Sequence, residues 1–148
     1  MHRAGGGVPS GLSALRQQYE PLPWDHFWDA KEMINETIPV YTAGTEGHIF
    51  LCMHGAGNSA MSFSVVAETL KTENTVISFD WRGHGEHQRE DETNMPQATL
   101  VDDAIEVLTF VHDRYPDRTI VMVGHSMGGA IAAKTVSHLE TELAGTDL

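Results

Sequence analysis

From Glu36 onward, short apolar β-branched runs end in glycine-containing loops and give way to helical periodicity, the alternation expected of an α/β architecture. Three runs predict strands: Ile49-Phe50-Leu51-Cys52-Met53, Thr75-Val76-Ile77-Ser78-Phe79 and Thr119-Ile120-Val121-Met122-Val123. The first and last are apolar at consecutive rather than alternate positions, as strands buried on both faces are. Pro39-Val40-Tyr41-Thr42, followed by a turn over 44–47, is a weaker candidate for an earlier edge strand. Between the strong strands, Phe63, Val66, Ala67 and Leu70 recur at helical spacing within the stretch Ser59 to Leu70, and Val101, Ala104, Leu108, Val111 and Tyr115 form a clearer stripe. Thr99 with Asp102 three positions on reads as a capping box for the second helix, and Pro116 as its stop. Helices of this kind are the crossovers that parallel strands need.

Outside this pattern the chain is different. Met1 to Gly11 is rich in glycine and small polar residues, with little to bury against the ordering entropy, and residues 1–18 are expected to be a disordered tail. Tyr19 to Trp28 holds two prolines, two tryptophans, a tyrosine and a phenylalanine. It is too proline-broken for a helix and too aromatic for a free linker, so residues 19–35 are expected to form a strap pinned by aromatic anchors. Contact with a partner or substrate is the alternative role for that segment. Residues 36–148 are then a partial α/β domain. Glu86 to Glu92, EHQREDE, reads as a solvated loop.

The size, 148 residues and 16.3 kDa, suits one core. A formal net charge of −12 repels phosphate backbones and anionic lipid, which argues against nucleic acid or membrane-surface partners. The single cysteine, Cys52, makes no intrachain disulfide and no thiolate zinc site, which fits a reducing compartment. With no apolar stretch near the roughly 18 to 20 residues that cross a bilayer, a soluble, intracellular protein is expected.

The chemistry lies where strands hand over to helices. Gly124-His125-Ser126-Met127-Gly128 follows the third strand and opens a helix containing Gly129, Ala130, Ala132 and Ala133. That is the setting of a G-x-S-x-G nucleophile elbow, in which small neighbours allow a sharp turn and the serine hydroxyl stands at the carboxyl end of the sheet. The loop His54-Gly55-Ala56-Gly57-Asn58 supplies backbone for an oxyanion hole. Its expected donors are the N–H of Met127 and an N–H near Ala56, with Gly55 and Gly57 shaping the approach. A plain tight turn is the structural alternative, and the missing P-loop lysine argues against a phosphate-binding bend.

HGAG at His54, DWRGHG at Asp80 and GHSMGG at Gly124 occur in the order found in the α/β-hydrolase superfamily, which the chain resembles. PLPWDHF, GTEGHIFLCMHGAGNSAMSF and GHSMGGAIA together resemble the N-terminal part of the eukaryotic protein phosphatase methylesterases, over about Leu22 to Leu139. The resemblance implies an α/β-hydrolase fold, the N-terminal half of a mostly parallel doubly wound sheet. It also implies a serine carboxylesterase that demethylates the C-terminal leucine of the protein phosphatase 2A catalytic subunit, in the cytoplasm or the nucleus, without a cofactor. Ser126 matches the family nucleophile, and Gly55 to Gly57 with Met127 match its oxyanion hole.

Hydrolases of this fold carry an acid and then a histidine after the nucleophile. The later histidine here, His138, lies 12 residues along the same helix, roughly 18 Å away at 1.5 Å per residue. Asp147 is the later aspartate, with no following strand to hold it. In the methylesterases the acid lies beyond the next strand and the histidine later still. A chain truncated after the nucleophile helix is therefore expected, with very weak catalysis and an exposed edge on the strand at Thr119 to Val123. A different esterase or lipase of the same fold is the alternative enzyme, and a non-catalytic phosphatase-binding module is the alternative from another class. An epoxide hydrolase would carry aspartate at the elbow.

His54, His84 and His125 sit in strand-end loops and are expected to hydrogen-bond rather than bind metal. No H-E-x-x-H and no cysteine pair accompanies His84 and His87. Asp80 and Arg82 are expected to fix loops through a carboxylate–guanidinium pair, with binding of an anionic carboxylate as the other role for Arg82.

Overall fold

The computed structural model describes residues 20–88 and 95–145. The expected tail over 1–18, most of the acidic loop beyond Gln88 and Asp147 lie outside the described residues. Five strands form one sheet: β1 (Ala30–Ile34), β2 (Ile38–Ala43), β3 (Ile49–Met53), β4 (Thr75–Phe79) and β5 (Ile120–Gly124), in the order β1-β2-β4-β3-β5. β3 runs parallel to both β4 and β5, whereas β2 is antiparallel to β1 and β4. Among the described residues, α1 (Ser64–Leu70) joins β3 to β4, α2 (Gln97–Arg114) precedes β5, and α3 (Met127–Gly145) follows it.

Apolar residues at consecutive strand positions reflect two buried faces. Ile38 and Val40, Ile49, Leu51 and Met53, and Ile77 and Phe79 turn to one side, where Leu100, Ala104, Val107, Val111 and Ile131 of α2 and α3 cover them. Tyr41 and Ala43, Cys52 and Val76 turn to the other, against Trp28, Ala60, Phe63 and Ala67. Alternation of side chains along each strand makes this division, and burial on both sides removes the polar positions that would otherwise mark a period of two.

Two expectations about the first strands are corrected. The strand around Pro39 is not at the sheet edge, because β1 lies outside it. Residues 30–34, read as part of the strap, pair with it from Ala30↔Thr42 to Ile34↔Ile38. The hairpin turn holds Asn35 and Glu36, both at positive φ (47° and 61°), with Thr37 N–H donating to Ile34 O at 3.0 Å. That is the left-handed pair of a type I′ turn built without its usual glycine, so neither the turn nor the charged Lys31-Glu32 strand stands out in the sequence. Pro39 is tolerated because its carbonyl faces β4 and accepts from Asp80 N–H at 3.2 Å. The absent donor therefore falls at the end of the β4 ladder and leaves the β1 ladder whole.

α2 begins at Gln97 behind Pro96, with no side-chain cap, so Thr99 and Asp102 do not form the expected capping box. Pro96 O already accepts from Leu100 N–H at 3.2 Å, and this bond starts the helix a turn early. The Ser59 to Leu70 stretch starts as a tight 3-10 turn, Ala60–Phe63, before α1. Phe63 and Ala67 are buried as the stripe requires, while Val66 is 40% exposed and Val65 70% exposed.

The aromatic segment is built into the fold. Trp28 is buried, its indole N–H donates to Ser64 Oγ at 3.2 Å, and its ring meets that of Tyr41 at 6.0 Å. Trp24 stands 6.1 Å from Tyr41 on the same side. At the far side of the sheet β5 pairs with β3, and among the described residues its outer edge has no strand partner. Val121 and Val136 are about two-fifths exposed there. No helix among the described residues is long and apolar enough to cross a membrane.

Candidate active site

Ser126 stands between the last residue of β5 and the first turn of α3, at φ +54°. Left-handed geometry in a residue with a Cβ is strained, and the surroundings impose it. His125 N–H continues the parallel ladder to Met53 O at 3.0 Å, and one residue later Ser126 O accepts from Gly129 and Ala130 N–H at 3.0 and 3.2 Å. Strand must become helix within two residues. A Cβ on Gly124 would lie 2.3 Å from Gly129 Cα, and one on Gly128 would lie 2.1 Å from Met53 O. Glycine is obligatory at both places because backbone meets backbone there.

Ser126 is exposed at the carboxyl end of the sheet, where open α/β sheets bind ligands. The loop after β3 lies against it: a Cβ on Gly55 would come within 3.1 Å of both Ser126 Cβ and His125 Nδ1. Asn58 N–H returns to Gly55 O at 3.2 Å with Gly57 at φ +75°, a turn with its left-handed residue third, as in type II. Met127 N–H, first in α3, is one of the orphan donors of a helix start. Among the described residues Ala56 N–H has no acceptor either, and Ala56 is exposed. Gly57 N–H is already committed to His84 Nε2 at 2.9 Å. Of the loop residues singled out in the sequence, Ala56 carries an uncommitted N–H next to Gly55, Gly55 provides the close approach to Ser126 and Gly57 the turn.

The neighbouring histidines fix this loop. His54 is buried with Nδ1 donating to Gly55 O at 2.8 Å and Nε2 accepting from Trp81 N–H at 3.3 Å. Burial lowers its pKa, as expected where charge would be desolvated. His84 likewise donates from Nδ1 to Arg82 O at 2.9 Å while accepting from Gly57. His125 is exposed and, with Asn58, Ser62, Phe63 and Val66, lines a hollow of about 320 Å³.

Asp80 and Arg82 do not pair with each other. Asp80, buried at the end of β4, accepts from Ala60 N–H at 2.7 Å and from Glu86 N–H at 2.9 Å. Gly85, at φ +55°, leaves no room for a Cβ beside that carboxylate. Arg82 instead donates from Nε and Nη2 to both oxygens of Asp103 on α2, each at 2.7 Å, with both side chains buried. Asp103 was invisible in the sequence as anything but a polar position on a helix, since its partner arrives from a separate loop. Glu86 is tied down too, by Lys31 Nζ at 2.5 Å and by Tyr41 O–H at 3.4 Å. Lys31 holds the Glu86 pKa low, while burial first and the nearby carboxylates next push that of Tyr41 up.

No hydrogen-bond partner for Ser126 Oγ occurs among the described residues. His138 lies on the exposed side of α3, with Nε2 3.4 Å from Glu142. No group of three or more His, Cys, Asp or Glu side chains is placed to hold a metal among the described residues.

A strained serine elbow that closes a parallel strand and opens a helix is the nucleophile-elbow architecture of the α/β-hydrolase fold. The model of the Hydrolase_4 family, described as Serine aminopeptidase, S33, matches residues 45–146, and the chain belongs to that family. Among curated relatives it is 30% identical over 146 residues to Protein phosphatase methylesterase 1 of Bos taurus, covering 89% of this chain and 38% of the relative. It is 36% identical over 138 residues to the probable protein phosphatase methylesterase 1 of Caenorhabditis elegans, covering 88% of this chain and 37% of the relative. Among solved structures, the thioesterase domain from the curacin biosynthetic pathway superposes with a TM-score of 0.61 at 26% identity, over 73% of this chain and 40% of that one. The chain thus spans under two-fifths of the length of these methylesterases.

Proposed function

We propose that this chain supplies the nucleophile and oxyanion hole of a serine carboxylesterase that removes the methyl ester from the C-terminal leucine of the protein phosphatase 2A catalytic subunit, in the cytoplasm or the nucleus. The observation that carries the reading is Ser126 at φ +54°, followed directly by the uncommitted N–H of Met127 and closely approached at Gly55 by the loop that carries Ala56. A general base takes the Ser126 proton as Oγ attacks the ester carbonyl, and the two N–H groups hold the oxyanion. The proton passes to the departing methoxide to give methanol, and water, deprotonated by the same base, releases the carboxylic acid and restores the Ser126 hydroxyl. The general base is sought outside the described residues, so activity is tested on the full-length protein. The protein phosphatase substrate is supported by the names of the relatives, and the leucine ester by the sequence resemblance.

The test is fluorophosphonate labelling of the full-length protein with and without Ser126→Ala, alongside methanol release from a methyl-esterified C-terminal phosphatase peptide. Labelling and release that both vanish in Ser126→Ala are the expected result. Labelling without peptide turnover points to another esterase of this fold. Phosphatase binding with no labelling replaces the enzyme by a binding module.

A further inference from the structure

We propose that His84 is a positioning residue for the oxyanion hole: its neutral ring clamps the loop that carries Ala56, and protonation of Nε2 releases that clamp. The inference rests on the serine-hydrolase reading and adds to it a control point away from the reacting atoms.

Two histidines bracket Ala56. On its N-terminal side Gly55 O accepts from His54 Nδ1, and on its C-terminal side Gly57 N–H donates to His84 Nε2. Space around Gly57 is open, with no atom within 4 Å of where a Cβ would stand, so packing does not hold this half of the turn. Its described restraints are the Asn58 to Gly55 bond and the His84 contact. His84 is itself oriented by Arg82 O, which accepts from Nδ1. Both ring nitrogens therefore have fixed roles, one donor and one acceptor, and only the neutral Nδ1–H tautomer satisfies both. A proton on Nε2 would set one N–H against another and turn the Gly57 contact from attraction to repulsion. Arg82 in turn is locked to Asp103 of α2, so the clamp connects the oxyanion loop to the helix layer.

The charged and titratable groups around His84 come from several elements. His54 on the β3 loop faces it with ring centroids 5.3 Å apart, and His125 on the elbow stands behind Gly55. Asp80 at the end of β4 and Glu86 further along the same loop supply negative charge, but Asp80 is occupied by Ala60 and Glu86 N–H, and Glu86 by Lys31 and Tyr41. Among the described residues no carboxylate is hydrogen-bonded to the His84 ring, which uses backbone partners at both nitrogens. Protonation thus gains no described salt bridge to offset the lost bond to Gly57.

Misplacing an oxyanion donor affects the transition state more than substrate binding. In the full-length protein, His84→Ala should lower kcat on the order of tenfold to a hundredfold, with KM within about twofold. His84→Gln, whose Oε1 can accept from Gly57 at every pH, should recover most of that loss. The pH profile separates clamping from mere packing. On acidification wild-type log kcat should fall more steeply than that of His84→Gln, the extra drop being bounded by the roughly tenfold to hundredfold that the clamp contributes. The Gly57 amide nitrogen shift in the wild type should titrate with the His84 ring.

An unchanged kcat in folded His84→Ala, the same acid slope in wild type and His84→Gln, or a flat Gly57 shift while His84 titrates would overturn the clamp. Failure of the parent reading is distinct, because fluorophosphonate would then leave wild-type Ser126 unlabelled, and the Gly57 titration would still decide the clamp.

Discussion

Gly128→Ala places a methyl group where the backbone of β3 already stands. The added Cβ would lie 2.1 Å from Met53 O, 2.5 Å from Met53 C and 2.7 Å from His54 O. Ordinary contact begins near 3.4 Å, so strand and helix must part by about 1.3 Å, beyond what side-chain adjustment absorbs in a close-packed interior. Overpacking of this kind costs about 3 kcal/mol at the upper end of its usual range, against about 1 kcal/mol gained from alanine over glycine in a helix. The net loss is about 2 kcal/mol or more. Displacing the neighbouring Met127 N–H should also slow fluorophosphonate labelling on the order of a hundredfold. Gly129→Ala is the internal control: its Cβ meets Gly124 O at 3.3 Å, a few tenths too close, so the change in stability should stay within about 1 kcal/mol. Urea unfolding and labelling rates of the full-length variants measure both quantities. Equal effects at the two positions, or Gly128→Ala with wild-type stability and labelling, would refute the close approach and with it the account of the elbow.

Other outcomes follow from buried polar groups. Asp103→Asn removes the charge and one of the two acceptor oxygens from the buried Arg82 pair, which should lower the unfolding free energy by about 2 to 3 kcal/mol in urea titrations; a loss below about 1 kcal/mol would mean that the pair behaves as a surface ion pair. Stability should also decline on acidification below about pH 6.5, because the lowered pKa of His54 means that the unfolded chain binds its proton first, and stability falls wherever the unfolded state holds more protons. Urea midpoints at pH 8, 7, 6 and 5.5 should be level and then drop in the wild type, and His54→Asn should flatten the drop while lowering stability at pH 8. A drop of unchanged size in the variant would assign it to other groups.

The chain alone determined the elements whose signal is local. Short apolar runs announced β3, β4 and β5; β3 and β4 are covered on both faces, whereas β5 is apolar but only partly covered, Val121 being 38% exposed. GHSMGG announced the elbow because strand, sharp turn and helix each restrict their own residues. Tertiary structure decided what depends on meeting a distant partner. β1 exists because β2 pairs with it across a glycine-free turn, and the Asp80–Arg82 pair dissolved because Ala60, Glu86 and Asp103 offered each group better geometry from other elements. The bond from Gly57 to His84 spans 27 positions. Hydrogen bonds of that range depend on orientation as well as residue type, so folding, rather than the pattern along the chain, chose which donors remain free beside Ser126.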